Sequence, residues 1–142
     1  MPAVKTFDPK KVTVIVGPYS ISGYAKGTFI QAEYQEDLYK TVVGADGETT
    51  RVRNNNRSGK ITITLHNSSL SNADLTALKE LDDTTGNGKV PVFIHDNSGY
   101  DTAGSPEAWV SKMPAMKKGD DVENYEWVLD CRDFEPILGG NQ

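Results

Sequence analysis

The sequence predicts a mainly antiparallel β-sandwich or barrel with one flanking α-helix and a long protruding β-hairpin. Three observations carry this expectation. Short runs of alternating apolar and polar residues recur along the chain, and only one segment has helical spacing, so no βαβ alternation is present. The third is the run from Phe29 to Val43, in which Ile30, Ala32, Tyr34, Leu38 and Val42 mark one face and Gln31, Glu33, Gln35 and Asp37 the other. That run ends in Ala45-Asp46-Gly47-Glu48, an Asp-Gly hairpin turn. The return, Thr49 to Arg57, has Val52 as its one aliphatic residue. As one strand at ~3.4 Å per residue, Phe29 to Val43 would span roughly 50 Å, several times an ordinary strand. A ribbon so long and so polar cannot be buried by one small core, so it is expected to be either mobile in the monomer or ordered against another subunit.

The elements follow in chain order. After an N-terminal arm, residues 1–11, the run Val12-Thr13-Val14-Ile15-Val16 reads as a strand ended by Gly17-Pro18. Ile21 to Tyr24 is a short second segment that leads through Gly27 into the long run. Lys60 to Leu65 is a half-buried strand, with Ile61, Ile63 and Leu65 on one face and Thr62 and Thr64 on the other. The helix is expected over residues 71–85. Ser71 is the cap, Leu70 and Leu75 are a hydrophobic staple, Leu75, Leu78 and Leu81 form the apolar side, and Thr85-Gly86 is the stop. Val90-Pro91-Val92-Phe93-Ile94 is a strand whose proline belongs at an edge or a start. Asp96 to Gly99 is a turn, Ala108 to Met113 is a strand bracketed by Pro106 and Pro114, and Lys118-Gly119-Asp120 turns again. In the last strand Tyr125, Trp127, Leu129 and Cys131 alternate with Glu126, Val128, Asp130 and Arg132. Residues 139–142 are expected to be a loose tail.

At 142 residues and 37 % hydrophobic content the chain fits a single domain with one core. It has no long apolar run and no signal-peptide pattern at Met1 to Lys5, so a soluble protein made in the cytoplasm, without membrane contact, is expected. A single cysteine, Cys131, precludes an internal disulfide and reads as a small buried hydrophobe. Net charge −5 opposes tight nucleic-acid binding, which needs clustered cations at phosphates. Arg51, Arg53 and Arg57 could meet phosphate or the carboxylates of a neighbouring subunit, and the acidic remainder favours the second.

No catalytic chemistry emerges. His66 and His95 lack a second ligand at zinc spacing, no serine sits in a nucleophile elbow, and no glycine-rich loop leads into a helix with a lysine. Asp96-Asn97-Ser98-Gly99 with Asp101 lacks the ligand series of a calcium loop. A non-enzymatic protein without cofactor or metal is therefore expected. Trp109, Trp127 or Tyr100 could stack sugars in a monomeric carbohydrate-binding β-sandwich, but the two tryptophans lie inside alternating strands and read as core.

Several segments occur in a familiar order: Ile21 to Phe29, the Gly44-Ala45-Asp46-Gly47-Glu48 turn, Asn55 to Leu65, Asn72-Ala73-Asp74-Leu75, and Trp127 to Cys131. Together they resemble the tail tube proteins of contractile-tailed bacteriophages, over nearly the whole chain. The resemblance implies six subunits per ring and rings stacked into a hollow tube for DNA ejection inside a contractile sheath. It also implies relatives in the tubes of type VI secretion systems, the rival reading within one architecture. The partners implied are further copies of the chain together with sheath, baseplate or tube-initiator, tape-measure and tail-terminator proteins. The location implied is the virion tail, assembled in the host bacterial cytoplasm. Residues 39–57 would be the arm that reaches the adjoining ring, with Tyr39, Val42, Val43, Asp46, Gly47, Glu48, Arg51, Val52, Arg53, Asn54, Asn55, Asn56 and Arg57 as contact residues. An acidic inner wall would pass DNA without holding it, and Glu33, Asp37, Glu126 and Asp130 are the candidates for that wall.

Overall fold

Alongside a 3-10 turn at Pro9–Lys11, ten strands and one α-helix lie within residues 4–140, the part of the chain that the computed structural model describes. They are β1 (Val12–Val16), β2 (Tyr19–Ser20), β3 (Ile30–Tyr34), β4 (Tyr39–Val43), β5 (Thr49–Arg53), β6 (Gly59–His66), α1 (Ser71–Thr85), β7 (Val90–Asp96), β8 (Thr102–Lys112), β9 (Asn124–Arg132) and β10 (Glu135–Ile137). Met1 to Ala3 of the expected arm and Asn141 and Gln142 of the expected tail lie outside the described residues. Eight strands form one antiparallel sheet in the order β2-β1-β7-β8-β9-β6-β3, with β10 beside β8, while β4 and β5 pair only with each other. The expected β-architecture with a flanking helix and a protruding hairpin is the one the chain adopts.

Alternation explains which side of the sheet is core. Ile61, Ile63 and Leu65 of β6 lie opposite Leu129, Trp127 and Tyr125 of β9, and Val14 and Val16 of β1 lie opposite Ile94 and Val92 of β7. These side chains, with Leu75 and Leu78 of α1 and Phe134, belong to a single apolar cluster. One cluster fed from both ends of the strand order requires the sheet to curl around it, with α1 packed against β8 and β2. Gly59 permits the closest approach: a Cβ there would lie 2.3 Å from Cγ of Phe134, so any side chain would displace that ring.

The structure corrects the sequence reading at several places. The run Phe29 to Val43 is not one strand, since pairing stops after Tyr34 and resumes at Tyr39. Position 36, where continued alternation would need an apolar residue for the core, is Glu36, and the backbone leaves the sheet there. Gln35 marks the departure, its amide donating to Ser58 O at 3.0 Å and its side chain to Gly59 O at 3.2 Å. The helix start also differs. Leu70 occupies the cap position without a side-chain cap and is 87 % exposed, so it forms no staple with the buried Leu75. The Ser71 hydroxyl instead accepts from Ser22 N at 2.9 Å, and Ser69 Oγ accepts from Ser71 N at 3.2 Å. Leu81 is exposed, whereas Gly86 ends the helix in the left-handed region at φ 69°.

Pro106 lies inside β8, between Gly104, which pairs with β10, and Glu107, which pairs with β9. No ladder bond is needed there, so the missing N–H costs nothing. Pro91 falls near the start of β7 at a register shift, although β7 is an interior strand. Val128, grouped by alternation with the polar residues of β9, is buried with Trp127 and Leu129. Gly139 and Gly140 are not loose: Tyr100 N donates to Gly140 O at 2.8 Å, and Gly140 N donates to Asp101 Oδ1 at 2.9 Å. Among the described residues no helix is long and apolar enough to cross a membrane.

Candidate assembly surfaces

The β4–β5 ribbon stands outside the main sheet, and every residue from Tyr39 to Arg53 is exposed. Its register pairs Tyr39 with Arg53, Thr41 with Arg51 and Val43 with Thr49 on one face, and Lys40 with Val52 and Val42 with Thr50 on the other. Both ribbon arginines thus share a face with Tyr39 and Val43, and the Arg51 guanidinium lies 4.5 Å from the Tyr39 ring centre. Val42, Val43 and Val52 are 46 %, 63 % and 52 % exposed, more apolar surface than an isolated hairpin gains from showing to water. At the tip, Gly47 has φ 87°, Glu48 N donates to Asp46 Oδ1 at 3.1 Å, and Gly44 N donates to Glu48 O at 2.8 Å.

The root is braced by amide groups. Asn54 N donates to Leu38 O at 2.9 Å and Asn54 Nδ2 to Asp37 O at 3.0 Å. Asn56 N donates to Asn54 Oδ1 at 2.9 Å, and Asn56 Nδ2 bonds Glu36. Asn54 is half-buried, while Asn55 and Asn56 are exposed. Arg57, grouped by sequence with the ribbon arginines, belongs to this root: it is half-buried, sits 5.9 Å from the Tyr34 ring centre, and gives its carbonyl to Phe134 N. Among the described residues none of Arg51, Arg53 and Arg57 forms an ion pair; the pairs there are Lys79 with Glu80 and Asp83, and Arg132 with Glu107 and Asp133.

Three of the four acidic candidates share one face. Glu33 lies opposite Lys60, Lys60 opposite Asp130, and Thr64 opposite Glu126 across the β3–β6–β9 ladder. Gln31, Thr62 and Thr64 complete a shallow polar depression with Glu33, Lys60 and Glu126. Asp130 accepts from Gln35 Nε2 at 3.1 Å. Asp37 is not on this face but at the ribbon root. Lys60, in the middle of the set, was missed by a reading of carboxylates alone, though its place between Gly59 and Ile61 in an alternating strand put it on the outward side.

Of the other sequence candidates, Trp109 is not core as expected but half-buried opposite Asp130, on the face away from the core residue Ala108, and Tyr100 is 58 % exposed. Trp127 is 1 % exposed and cannot stack a sugar. Cys131 is buried, and burial pushes its thiol up from the ordinary value, away from thiolate reactivity.

A curled β-domain that extends an unsatisfied ribbon and carries a separate polar sheet face is built as a repeating structural subunit rather than a self-contained monomer. A family model described as "Bacteriophage PhiTE tail tube protein" matches residues 12–139, and the chain belongs to that family. It is a structural subunit of a phage tail tube. The chain is 29 % identical over 145 residues to Structural protein ORF10 of Pseudomonas phage KPP10, covering 96 % of this chain and 84 % of that protein. Among solved structures it resembles a chain of the sheath/tube terminator of a PVC extracellular contractile injection system in the extended state. That match has a TM-score of 0.59 and 13 % identity, with 96 % and 99 % of the two chains covered. A chain of the PVC sheath-tube complex, also extended, matches with a TM-score of 0.58 and 14 % identity, covering 93 % and 91 %. These two likenesses are of fold.

Proposed function

We propose that six copies of this chain form a ring and that rings stack into a hollow conduit for DNA ejection inside a contractile sheath, with the β4–β5 ribbon as the inter-ring arm. The observation that carries this reading is the ribbon itself, exposed along its whole length, with arginines that find no carboxylate among the described residues. The open edges of β2 and β3, at the two ends of the sheet, supply strand pairing between neighbours within a ring. The subunit is non-catalytic and needs no cofactor. It docks on sheath, baseplate or tube initiator, tape-measure and terminator proteins, and assembles in the host bacterial cytoplasm.

In this arrangement the outward face of β3, β6 and β9 lines the lumen. Its carboxylates Glu33, Glu126 and Asp130 outnumber Lys60, so the wall repels phosphate and offers DNA no succession of attractive stops. Two measurements test the reading. Class averages of the tube viewed end-on should show six-fold symmetry, and any other ring number removes the hexamer. Phage carrying Glu33→Gln, Glu126→Gln and Asp130→Asn together should assemble normally yet release DNA several-fold more slowly, most clearly at low salt. Unchanged release kinetics would place the lumen on another face.

A further inference from the structure

We propose that Asn87-Gly88 is a latent site of spontaneous deamidation and that the Asp82 carboxylate suppresses the reaction by holding the Gly88 amide. An asparagine side chain is most open to attack by the next residue's main-chain nitrogen when that residue is glycine, because no side chain shields the nitrogen. Asn87-Gly88 is the one such pair in the sequence. It lies in the short connection between α1 and β7, with Asn87 exposed and Gly88 buried.

The fold needs glycine at position 88 for a reason unrelated to this chemistry. A Cβ there would lie 2.5 Å from Cβ of Asp82 and 2.8 Å from Leu78 O, so the backbone is pressed against the last turns of α1. Any other residue would push the helix aside, and the packing that closes α1 onto β7 thus carries a chemical liability with it. In the reaction Gly88 N bonds to Cγ of Asn87, the Cγ–Nδ2 bond breaks, and ammonia leaves with the proton given up by Gly88 N. Water then opens the cyclic imide at either carbonyl, leaving aspartate or isoaspartate at position 87. Ring closure consumes the Gly88 N–H, and that N–H is already donated to Asp82 Oδ1 at 3.1 Å. The bond must be given up before the nitrogen can attack. The attacking form is an amide anion, which a carboxylate at this distance disfavours by like-charge repulsion and is far too weak a base to generate. Asp82 also holds the connection through its main chain, its carbonyl accepting from Gly86 N at 2.8 Å, while Asn87 N donates to Thr85 Oγ1 at 3.2 Å. Among the described residues no ion pair draws the Asp82 carboxylate away from this task. Isoaspartate at position 87 would add one main-chain carbon just before β7, the strand that sets the register of both β1 and β8.

The test follows deamidation in the full-length chain, kept warm at mildly alkaline pH, by mass mapping of peptides at each asparagine, with thermal unfolding to confirm that every variant is folded. Asp82→Ala should deamidate at Asn87 at least about tenfold faster than the parent, the scale of a lost hydrogen bond to a charged group. Asp82→Asn keeps an oxygen acceptor without the charge, so its rate should fall between the two. Adding Asn87→Gln to Asp82→Ala should abolish the gain, since the longer side chain closes a ring far more slowly. Equal rates at Asn87 in the parent and in Asp82→Ala overturn the proposal. So do equal rates in Asp82→Ala and Asp82→Asn, which would mean that the looseness of the helix end, and not the held amide, governs the reaction. Should Asp82→Ala fail to fold, Asp82→Asn decides alone: it should react faster than the parent at Asn87, and a rate no greater than the parent's overturns the proposal.

Discussion

Removing Val42 to Thr50 and joining Thr41 to Arg51 through an Asn-Gly turn is expected to yield a folded monomer that forms no tubes. Thr41 and Arg51 are direct partners in the ribbon ladder, so a two-residue turn closes the shortened hairpin without strain. None of the deleted residues is buried, and surface changes away from the core typically alter stability by less than about 0.5 kcal/mol. Thermal unfolding should therefore be almost unchanged, while tubes should be absent at a hundredfold the concentration at which the full chain assembles. Sedimentation and imaging of the two proteins side by side give the answer. Tubes of ordinary length from the shortened chain would show that cohesion between rings comes from the body of the domain.

The largest effect on the fold itself should follow Trp127→Ala. The indole, on β9, is buried in the apolar cluster, and its Nε1 donates to Asn72 Oδ1 at 2.9 Å. Asn72 in turn donates to His66 O at 2.9 Å and to Ser69 O at 3.0 Å, so this one side chain ties β9 to the end of β6 and the first turn of α1. Truncating a buried tryptophan costs about 3–5 kcal/mol, and an unpaired acceptor on Asn72 adds to that. Against a total stability of about 5–15 kcal/mol, most of the folded population at 37 °C would be at risk. Trp127→Phe, which keeps most of the apolar volume but not the donor, should lose less than half as much. A denaturant midpoint for the alanine variant within about 1 kcal/mol of the parent would mean that the indole contributes little to the core.

How far the sequence could be read depended on whether local pattern or distant contact decides each element. β6 and β9 were legible because one of their faces is core and the other water, which is what alternation encodes; Val128 escaped because its outward side is covered. The hairpin turn was legible because Asp46-Gly47 specifies it locally. The break before it was visible at Glu36, where the apolar alternation fails, but was bridged by the regular residues on either side. The helix start was misread because Ser71 spends its hydroxyl on Ser22, a contact across 49 residues that no capping rule contains. Pro106 inside β8 was misread for a similar reason, since only the shift of partners from β10 to β9 leaves a gap it can occupy. Of the candidate assembly surfaces, the ribbon announced itself by its turn and its polarity, while the length argument failed because Phe29 to Val43 is broken between Tyr34 and Tyr39. The face proposed to line the lumen needed the register that brings Glu33, Lys60 and Asp130 into line.

The amide bracing at the base of the ribbon sets how the finished tail should respond to its surroundings. The bonds that Asn54 and Gln35 donate to main-chain carbonyls are insensitive to ionic strength, so salt should leave the direction of the ribbon unchanged. The guanidiniums further out have no such insulation. If rings stack through the ribbon as proposed, salt that screens these guanidiniums should loosen the grip between successive discs before it unravels any one of them.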